Sequence, residues 1–372
     1  MKTPAHLNRR TLLLGSGALS LSACATPAQK TFLTLQDSID DPLARFRLNA
    51  NAPRARWLEH LHLPALTHAP RMLALSGGGE DGAFGAGALA GLSKMNERHV
   101  YDIVTGVSTG ALIAPFAFLG AAYDDTLRQI FLDHDASDIM RFNPVNALLE
   151  GGLFETDRLA GLIKDFTPAS VLSAVAARHD QGARLFMVTT NIETSQAMVW
   201  NMGEIAKSGN FALFRTVMRA SGTLPGLFTP VDVAFSANGK TYREVHVDGG
   251  VHMQFLATPR AAFRAPTSQL MRGGHAYVLI NNTLTPPPEQ ASTSALGISQ
   301  QAMSAMIRAS AINGVETARL LAKRHGLGFS VASVSPNSGI IYDPLDRFSH
   351  DYMEAMYHHG FERARKGQLW QA

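Results

Sequence analysis

The sequence has 372 residues, of which 46% are hydrophobic and only 17% are charged, so the chain can bury a large core and is too apolar to be a disordered tail. Its 33 Lys and Arg exceed its 30 Asp and Glu, but Lys2, Arg9 and Arg10 precede residue 24 and the remainder is neutral, which argues against nucleic-acid binding. A single cysteine, Cys24, excludes an intrachain disulfide and a multi-cysteine metal site.

The first 23 residues have the features of an export signal. A basic start is followed by an apolar run of small residues at 11–23, which is too short to span a bilayer. The sequence Leu-Ser-Ala-Cys at 21–24 resembles the lipobox of bacterial lipoproteins, in which the cysteine is lipidated and becomes the new N-terminus. Residues 8–13 are also somewhat similar to a twin-arginine signal, and a buried helix with a chance cysteine is the alternative. We expect residues 1–23 to be a lipoprotein signal peptide and Cys24 to be the lipidation site.

Residues 24–70 are predicted to be a tether and an irregular strap, because five prolines interrupt them and leave room for one short helix. From residue 71 onward, strands and helices alternate. Strands are predicted at 71–76, 101–107, 185–191, 197–200, 242–247, 276–282 and 329–334, and helices at 82–97, 111–119, 211–220, 294–324 and 351–366. This alternation predicts an α/β fold with a mostly parallel sheet covered on both faces. Asn313-Gly314 is a candidate break in the long helix.

An uncharged run from residue 103 to residue 123 is long enough to suggest a membrane span. It contains Gly106, Gly110 and Pro115, and it divides into a strand, a turn and a helix. We therefore predict that this run forms part of the core.

A G-x-S-x-G motif occupies Gly106 to Gly110, between a predicted strand and a predicted helix. The motif alone is common by chance, but this context is that of a nucleophile elbow. A serine on such a turn projects its hydroxyl from the sheet, and the two glycines let neighbouring backbone pass without a Cβ clash. The N–H groups at the helix start, beginning with Thr109, favour a developing oxyanion. Ser108 is therefore the candidate nucleophile.

A glycine-rich turn at 76–82 (SGGGEDG) links the first strand of the domain to a helix. Such a turn can form a nest of N–H groups that binds an anion. Nucleotide binding is the alternative, but no Lys-Ser or Lys-Thr follows, and Glu80 and Asp81 would repel phosphate. An oxyanion hole donated by Gly78 and Gly79 fits better, because an ester oxyanion needs only N–H donors.

Asp248 ends an apolar strand and is followed by Gly249 and Gly250. The carboxylate is either a turn former or a base, and the turn former is favoured when the motif is considered alone. Two glycines after it let another loop approach closely.

Together, and in this order, these three motifs resemble the signature set of the patatin-like phospholipase family. Residues 219–231 (RASGTLPGLFTPV) are similar to the family's Ala-Ser…Pro…Phe-Pro-Val block, and residues 76–92 match its first block. The resemblance is firm from residue 71 to about residue 250 and loose in the C-terminal third. It implies a three-layer α/β/α catalytic domain over 71–372 and a Ser–Asp dyad without histidine.

Carried over to this sequence, the family pattern makes Ser108 the nucleophile and Asp248 the base, and Gly77, Gly78 and Gly79 line the oxyanion hole. The family usually has Arg or Lys where this sequence has Asp81. We therefore expect Asp81 to face the mouth of the site and to disfavour anionic substrates there.

Fourteen histidines keep a Ser–Asp–His triad open as an alternative. His246 and His252 flank Asp248 and His275 lies downstream, but surface or packing roles are favoured for each. The paired histidines at 60 and 62 and at 358 and 359 lack the acids or cysteines of a metal site. Neither a metal nor a cofactor is expected.

The sequence thus predicts a lipid-anchored serine acyl hydrolase that cleaves carboxylic esters of phospholipids, lysophospholipids or acylglycerols through an acyl-Ser108 intermediate. Acyl transfer by the same dyad and a catalytically silent lipid-binding envelope protein are the alternatives. The expected partner is a membrane lipid or lipid ester, not nucleic acid, and no oligomeric state is indicated. Because Ala25 rather than Asp follows Cys24, we expect anchoring in the outer membrane, facing the periplasm.

Apolar residues that could hold an acyl chain are plentiful, although most are expected in the core. They are Phe84, Leu112, Phe116, Leu224, Leu227 and Phe228. Met303 and Met306 on the long helix are either core, which is favoured, or a soft lip at a lipid entrance.

Overall fold

A central mixed sheet organises the chain, seen here in a computed structural model. The structure describes residues 41–62, 68–143, 152–237, 240–257, 259, 261, 273–285, 293–343 and 346–371. The predicted signal peptide, Cys24 and the tether up to residue 40 lie outside these residues.

The strands are β1 (Arg47–Asn49), β2 (Arg71–Leu75), β3 (Ile103–Val107), β4 (Arg141–Phe142), β5 (Gly152–Glu155), β6 (Arg184–Asn191), β7 (Gln196–Asn201), β8 (Gly226–Phe228), β9 (Val231–Ala237), β10 (Lys240–Asp248), β11 (His275–Ile280) and β12 (Gly328–Ser333). In the described part of the chain, nine of them form the main sheet, in the order β1-β7-β6-β3-β2-β11-β12. In addition, β10 pairs with β6 and β9 pairs with β10, while β4, β5 and β8 form a small second sheet.

The helices are α1 (Arg54–Leu61), α2 (Gly82–Lys94), α3 (Thr109–Leu119), α4 (Asp124–Leu132), α5 (Ala136–Ile139), α6 (Asp157–Phe166), α7 (Ala169–Asp180), α8 (Met202–Lys207), α9 (Phe211–Ser221), α10 (Ala295–His325) and α11 (His350–Arg365). Helix α10 runs without a break through Asn313 and Gly314, so the predicted interruption there is wrong. Short 3₁₀ turns cover Gly79–Asp81, Ala121–Tyr123 and Gly249–Val251.

The five strands β6, β3, β2, β11 and β12 are parallel, as predicted. The strands added to β6, namely β7 and β10, are antiparallel, as are β1 on β7 and β9 on β10. Parallel strands must be joined by crossover connections, which are usually helices, and these helices form the layers on the two faces of the sheet. The α/β fold with helices on both faces is confirmed, and its sheet is mixed.

Helices cover the sheet on both sides. On one face Trp57 of α1 and Val315 and Ala318 of α10 join the apolar clusters of the sheet. The other face is covered by α3 and α9, which contact β3 and β6, and by α2, whose Gly85 lies beside Leu279 of β11. Small residues let α11 pack closely on α2, because a Cβ on Gly87 would lie 1.9 Å from the carbonyl oxygen of Tyr357.

The uncharged run at 103–123 is core, as predicted: all of β3 and most of α3 are buried. Among the described residues, no single helix has the length and apolarity to cross a membrane; α6 and α7, a pair bent by 66°, meet the test only jointly and by length and composition alone. The two α10 methionines expected in the core, Met303 and Met306, are instead 41% and 73% exposed.

Candidate active site

Ser108 sits on the turn between β3 and α3, as the G-x-S-x-G motif predicts. Its φ of +56° is in the left-handed region, a conformation that costs a non-glycine residue about 1–3 kcal/mol and persists only where the surroundings impose it. The two glycines of the motif permit the close backbone approach that this turn requires. A Cβ on Gly106 would lie 2.4 Å from the carbonyl oxygen of Gly110, and one on Gly110 would lie 2.5 Å from that of Leu75.

Ser221, at the end of α9, holds the turn from the other side. The Ser108 N–H donates to the Ser221 hydroxyl oxygen at 3.1 Å, and this hydroxyl donates to the Val188 carbonyl at 2.7 Å. The nucleophile's backbone is thereby tied to strand β6.

Strands β3 and β10 both pair with β6 and end next to each other there, which brings Asp248 close to Ser108. Parallel strand β3 pairs with β6 as far as Val107 opposite Val188, and antiparallel β10 ends with Asp248 opposite Thr189. The two strands approach from opposite directions and finish opposite consecutive residues of β6. Gly249 must lack a side chain, because its Cβ would lie 2.4 Å from the carbonyl oxygen of Val188.

The Asp248 carboxylate is buried, with 2% of the residue exposed. Burial raises its pKa to about 6, while hydrogen bonds from the Ser108 hydroxyl and from the Gly250 N–H lower the pKa and limit the rise. The Gly250 N–H lies 2.6 Å from Oδ1. A carboxylate of this basicity is a better proton acceptor than an exposed aspartate.

The glycine turn after β2 lies against the same serine. A Cβ on Gly77 would be 3.0 Å from the Ser108 Cβ and 3.6 Å from its Oγ, so Gly77 lines the site. Its N–H, however, donates to the carbonyl of Gln254 at 3.1 Å. Among the described residues, no partner engages the N–H groups of Gly78 and Gly79, and Thr109 opens α3, where N–H groups lack an intrahelical carbonyl. The free donors are therefore Gly78, Gly79 and Thr109.

Asn281, just beyond β11, fixes this turn. Its N–H donates to the Ser76 hydroxyl oxygen and its Nδ2 donates to the Ser76 carbonyl, both at 2.8 Å. A Cβ on Gly78 would lie 1.9 Å from the Asn281 carbonyl oxygen. No side chain fits at this position.

The acidic residues after the turn are placed differently from the expectation. Asp81 turns to α11, where its carboxylate accepts a hydrogen bond from the Tyr352 hydroxyl at 2.5 Å, and Glu80, not Asp81, lines the cavity beside Ser108. The expectation that Asp81 faces the mouth of the site is therefore wrong. Burial raises the pKa of Asp81 to about 7, with Tyr352, Arg347 and Arg308 opposing the rise and Glu80 adding to it.

The histidines near Asp248 in sequence have other partners. His246 is fully buried, with Nδ1 2.9 Å from the Thr189 hydroxyl and Nε2 3.0 Å from Glu244. The Nε2 of His275 lies 2.9 Å from the Ser330 hydroxyl. Both rings have the packing roles that the sequence favours.

An apolar cavity opens from Ser108. Its polar end includes Gly79, Glu80, Ser108 and Thr109. Its apolar wall is contributed by six helices and neighbouring segments: Leu112, Phe116, Ile130, Phe131, Ile139, Leu159, Leu162, Ile163, Phe166, Met218, Phe228, Phe348 and Met353. Three of the six apolar candidates, Leu112, Phe116 and Phe228, belong to this wall, whereas Phe84 is fully buried core.

Sequence reasoning missed the residues that support the site. Ser221 lies in the Ala-Ser block at 219–231, so the sequence contained a motif that could have identified it. Gln254 and Asn281 belong to no motif and are marked only by their position near the end of a strand. Arg347 and Tyr352 are about 270 residues from the turn they contact, and nothing local in the sequence connects them.

Comparison with known proteins gives one family and two structural likenesses. A family model described as Patatin-like phospholipase matches residues 73–259. VipD from Legionella pneumophila is 11% identical with a TM-score of 0.36, over 82% of this chain and 67% of VipD. The type III effector protein ExoU is 14% identical with a TM-score of 0.22, over 81% of this chain and 54% of ExoU, so the chain spans about half of its length. No curated protein matches the sequence.

Proposed function

Because the chain belongs to the patatin-like phospholipase family, and with it has the lipid acyl hydrolase activity that membership implies, we propose that it cleaves carboxylic esters of phospholipids, lysophospholipids or acylglycerols with a Ser108–Asp248 dyad. The observation that carries the proposal is the juxtaposition of Ser108 with the buried Asp248, where β3 and β10 end opposite consecutive residues of β6. Ser108 also lines the apolar cavity and lies beside the free N–H donors.

In the first half of the reaction, the Ser108 Oγ attacks the ester carbonyl carbon while Asp248 takes the hydroxyl proton. The carbonyl oxygen becomes an oxyanion that accepts hydrogen bonds from Gly78, Gly79 and Thr109. When the tetrahedral intermediate collapses, the leaving alcohol takes the proton from Asp248 and the acyl group stays on Ser108.

In the second half, water attacks the acyl-serine and gives its proton to Asp248. Collapse releases the fatty acid and returns the proton to Ser108. The acyl chain lies in the cavity walled by Leu112, Phe116 and Phe228, where it is removed from water.

A fluorophosphonate probe and a set of lipid esters test the proposal. The probe should label the wild type at Ser108, and fatty acid should be released from at least one phospholipid, lysophospholipid or acylglycerol. Ser108→Ala should lose both activities while keeping its fold, and Ser173→Ala, at an exposed position of α7, is the matched control. Labelling of another serine, or turnover by Ser108→Ala, would contradict the assignment.

We also propose that the enzyme is held at the outer membrane through a lipid on Cys24, facing the periplasm. The support is the sequence at 21–24 and the Ala25 that follows. Cys24→Ser should accumulate as unprocessed precursor in a bacterial host that processes lipoproteins, with Ser22→Thr as the control. Normal processing and membrane fractionation of Cys24→Ser would contradict the proposal.

A further inference from the structure

Two carboxylates directly follow the glycines of the oxyanion turn. The Glu80 side chain is 3% exposed and lines the cavity beside Gly79, and Asp81 follows it. The turn at 76–82 contains no Lys or Arg. A buried negative charge next to N–H donors opposes the negative charge that develops on a substrate oxyanion, and low surrounding polarity strengthens the repulsion.

A cationic side chain from a distant part of the chain pairs with the Glu80 carboxylate. Arg347 precedes α11 and lies outside the residues matched by the family model. Its Nη2 and Nε donate to the two oxygens of Glu80 at 2.9 and 3.2 Å. Its Nη2 also lies 3.6 Å from the position of a Cβ on Gly79. The guanidinium thus pairs with the carboxylate and lies beside the donor glycine.

The neighbouring contacts hold Arg347 in this place. Its guanidinium lies over the ring of Phe348, 5.6 Å from the ring centre, and Phe348 itself lines the cavity. One turn further on, Tyr352 of α11 donates to Asp81. The start of α11 and the residues before it therefore bind both acidic residues of the turn, Glu80 through Arg347 and Asp81 through Tyr352.

We propose that Arg347 is a positioning residue of the oxyanion site, which cancels the charge of Glu80 and holds the N–H groups of Gly78 and Gly79 in place. The inference rests on the proposed acyl hydrolase function and adds to it a residue from outside the matched domain. Arg347 acts through Glu80 and does not bind the substrate. Its loss therefore weakens stabilisation of the transition state and leaves binding of the ester nearly unchanged.

Charge cancellation predicts how two variants behave on a neutral ester of phosphatidylcholine type. Arg347→Met leaves the buried Glu80 carboxylate without its cationic partner, so kcat should fall on the order of 10²-fold with KM within about threefold. The double variant Glu80→Gln/Arg347→Met should regain most of that loss and come within about tenfold of the wild-type kcat, because it also removes the negative charge that Arg347 cancels. Arg365→Met, which removes an exposed partner of Glu362 on α11, is the control and should match the wild type.

The comparison of the double variant with the wild type decides the matter even if Arg347→Met alone fails to fold. A kcat within about tenfold of the wild type supports cancellation. A double variant on the order of 10²-fold below the wild type, or a defect that appears in KM, would mean that Arg347 does not act through Glu80 and would overturn the inference. If Arg347→Met is folded and fully active, the inference is likewise wrong. Failure of the proposed function is distinguishable, because the wild type itself would then release no fatty acid and take up no fluorophosphonate at Ser108.

Discussion

At the scale of single residues, the burial of Asp248 sets the pH dependence. The base acts only when it is ionised, and burial raises its pKa to about 6. We therefore expect kcat/KM to rise as the pH increases through about 6 and to level off above it. Ester hydrolysis between pH 4.5 and 8 measures this limb. Asp248→Asn should lose nearly all turnover at every pH, because an amide cannot accept the serine proton.

The control for this limb is Asp81→Asn, since the pKa of Asp81 is about 7 and its amide can still accept from Tyr352. The limb near pH 6 should persist in that variant. If the limb shifts in Asp81→Asn, the titrating group is Asp81 rather than Asp248, and the assignment is wrong.

Gly78 provides a second prediction at this scale. Even the methyl group of Gly78→Ala would overlap the Asn281 carbonyl, 1.9 Å away, so the turn must shift and its donors leave the oxyanion position. We expect kcat to fall on the order of 10²-fold or more, the cost of losing a single oxyanion donor. Gly161→Ala, at a helical position where a Cβ meets nothing within 4 Å, is the control. Wild-type labelling by fluorophosphonate in Gly78→Ala would contradict this view.

At the scale of elements, the cavity wall should govern acyl-chain length. Leu162 lies on α6 and lines the cavity, so Leu162→Trp fills space that a long acyl chain needs. We expect the kcat/KM ratio of long-chain to butyryl esters to fall about tenfold or more, a cost in the range of one to three kcal/mol for a crowded apolar site. Leu320→Trp, on α10 at a side chain that is 67% exposed, should leave the ratio unchanged.

The same scale separates what the sequence could predict from what it could not. Buried parallel strands such as β2, β3 and β11 are short, nearly uninterrupted apolar runs, and this pattern marks them clearly. β1 has three residues and joins the sheet only by pairing with β7, so no local signal marks it. The sheet is mixed because β7 and β10 both pair with β6 in the antiparallel direction. That β10 pairs with β6 depends on tertiary packing, not on the local sequence.

The same limit applies to the site. Ser108, Asp248 and the glycine turn lie in motifs whose local geometry needs those residue types, so the sequence identifies them. Which N–H of the turn is free depends on Gln254, and where Asp81 points depends on Tyr352. Both partners are fixed by packing of distant segments, which no motif reports.

At the scale of the whole molecule, a buried ion pair joins the first described segment to the sheet. Arg47 of β1 has 1% of its side chain exposed and donates to both oxygens of Glu244 on β10, at 2.5 and 2.8 Å. Burial alone would raise the pKa of Glu244, but hydrogen bonds from Arg47 and His246 lower it to about 2. The pair therefore stays ionised across the physiological range.

We expect Arg47→Met to lower the free energy of unfolding by roughly 3–5 kcal/mol, because it leaves the Glu244 charge buried without its partner. Arg45→Met is the matched control: Arg45 is 61% exposed in its pair with Glu204, so the loss should be below about 1 kcal/mol. Denaturant unfolding of both variants measures the difference. Equal free energies of unfolding for Arg47→Met and Arg45→Met would contradict a stabilising role of the Arg47–Glu244 pair.

The pairing of β3 and β10 with neighbouring residues of β6 also limits where insertions and deletions in the gene can be tolerated. Val107, directly before Ser108, and Asp248 pair with the consecutive residues Val188 and Thr189. An in-frame codon gained or lost within any of these three strands therefore moves one partner by a residue and turns it to the opposite face of the sheet. Single-base substitutions leave that register intact. Insertions and deletions among descendants of this gene should therefore collect outside β3, β6 and β10, however far their other residues diverge.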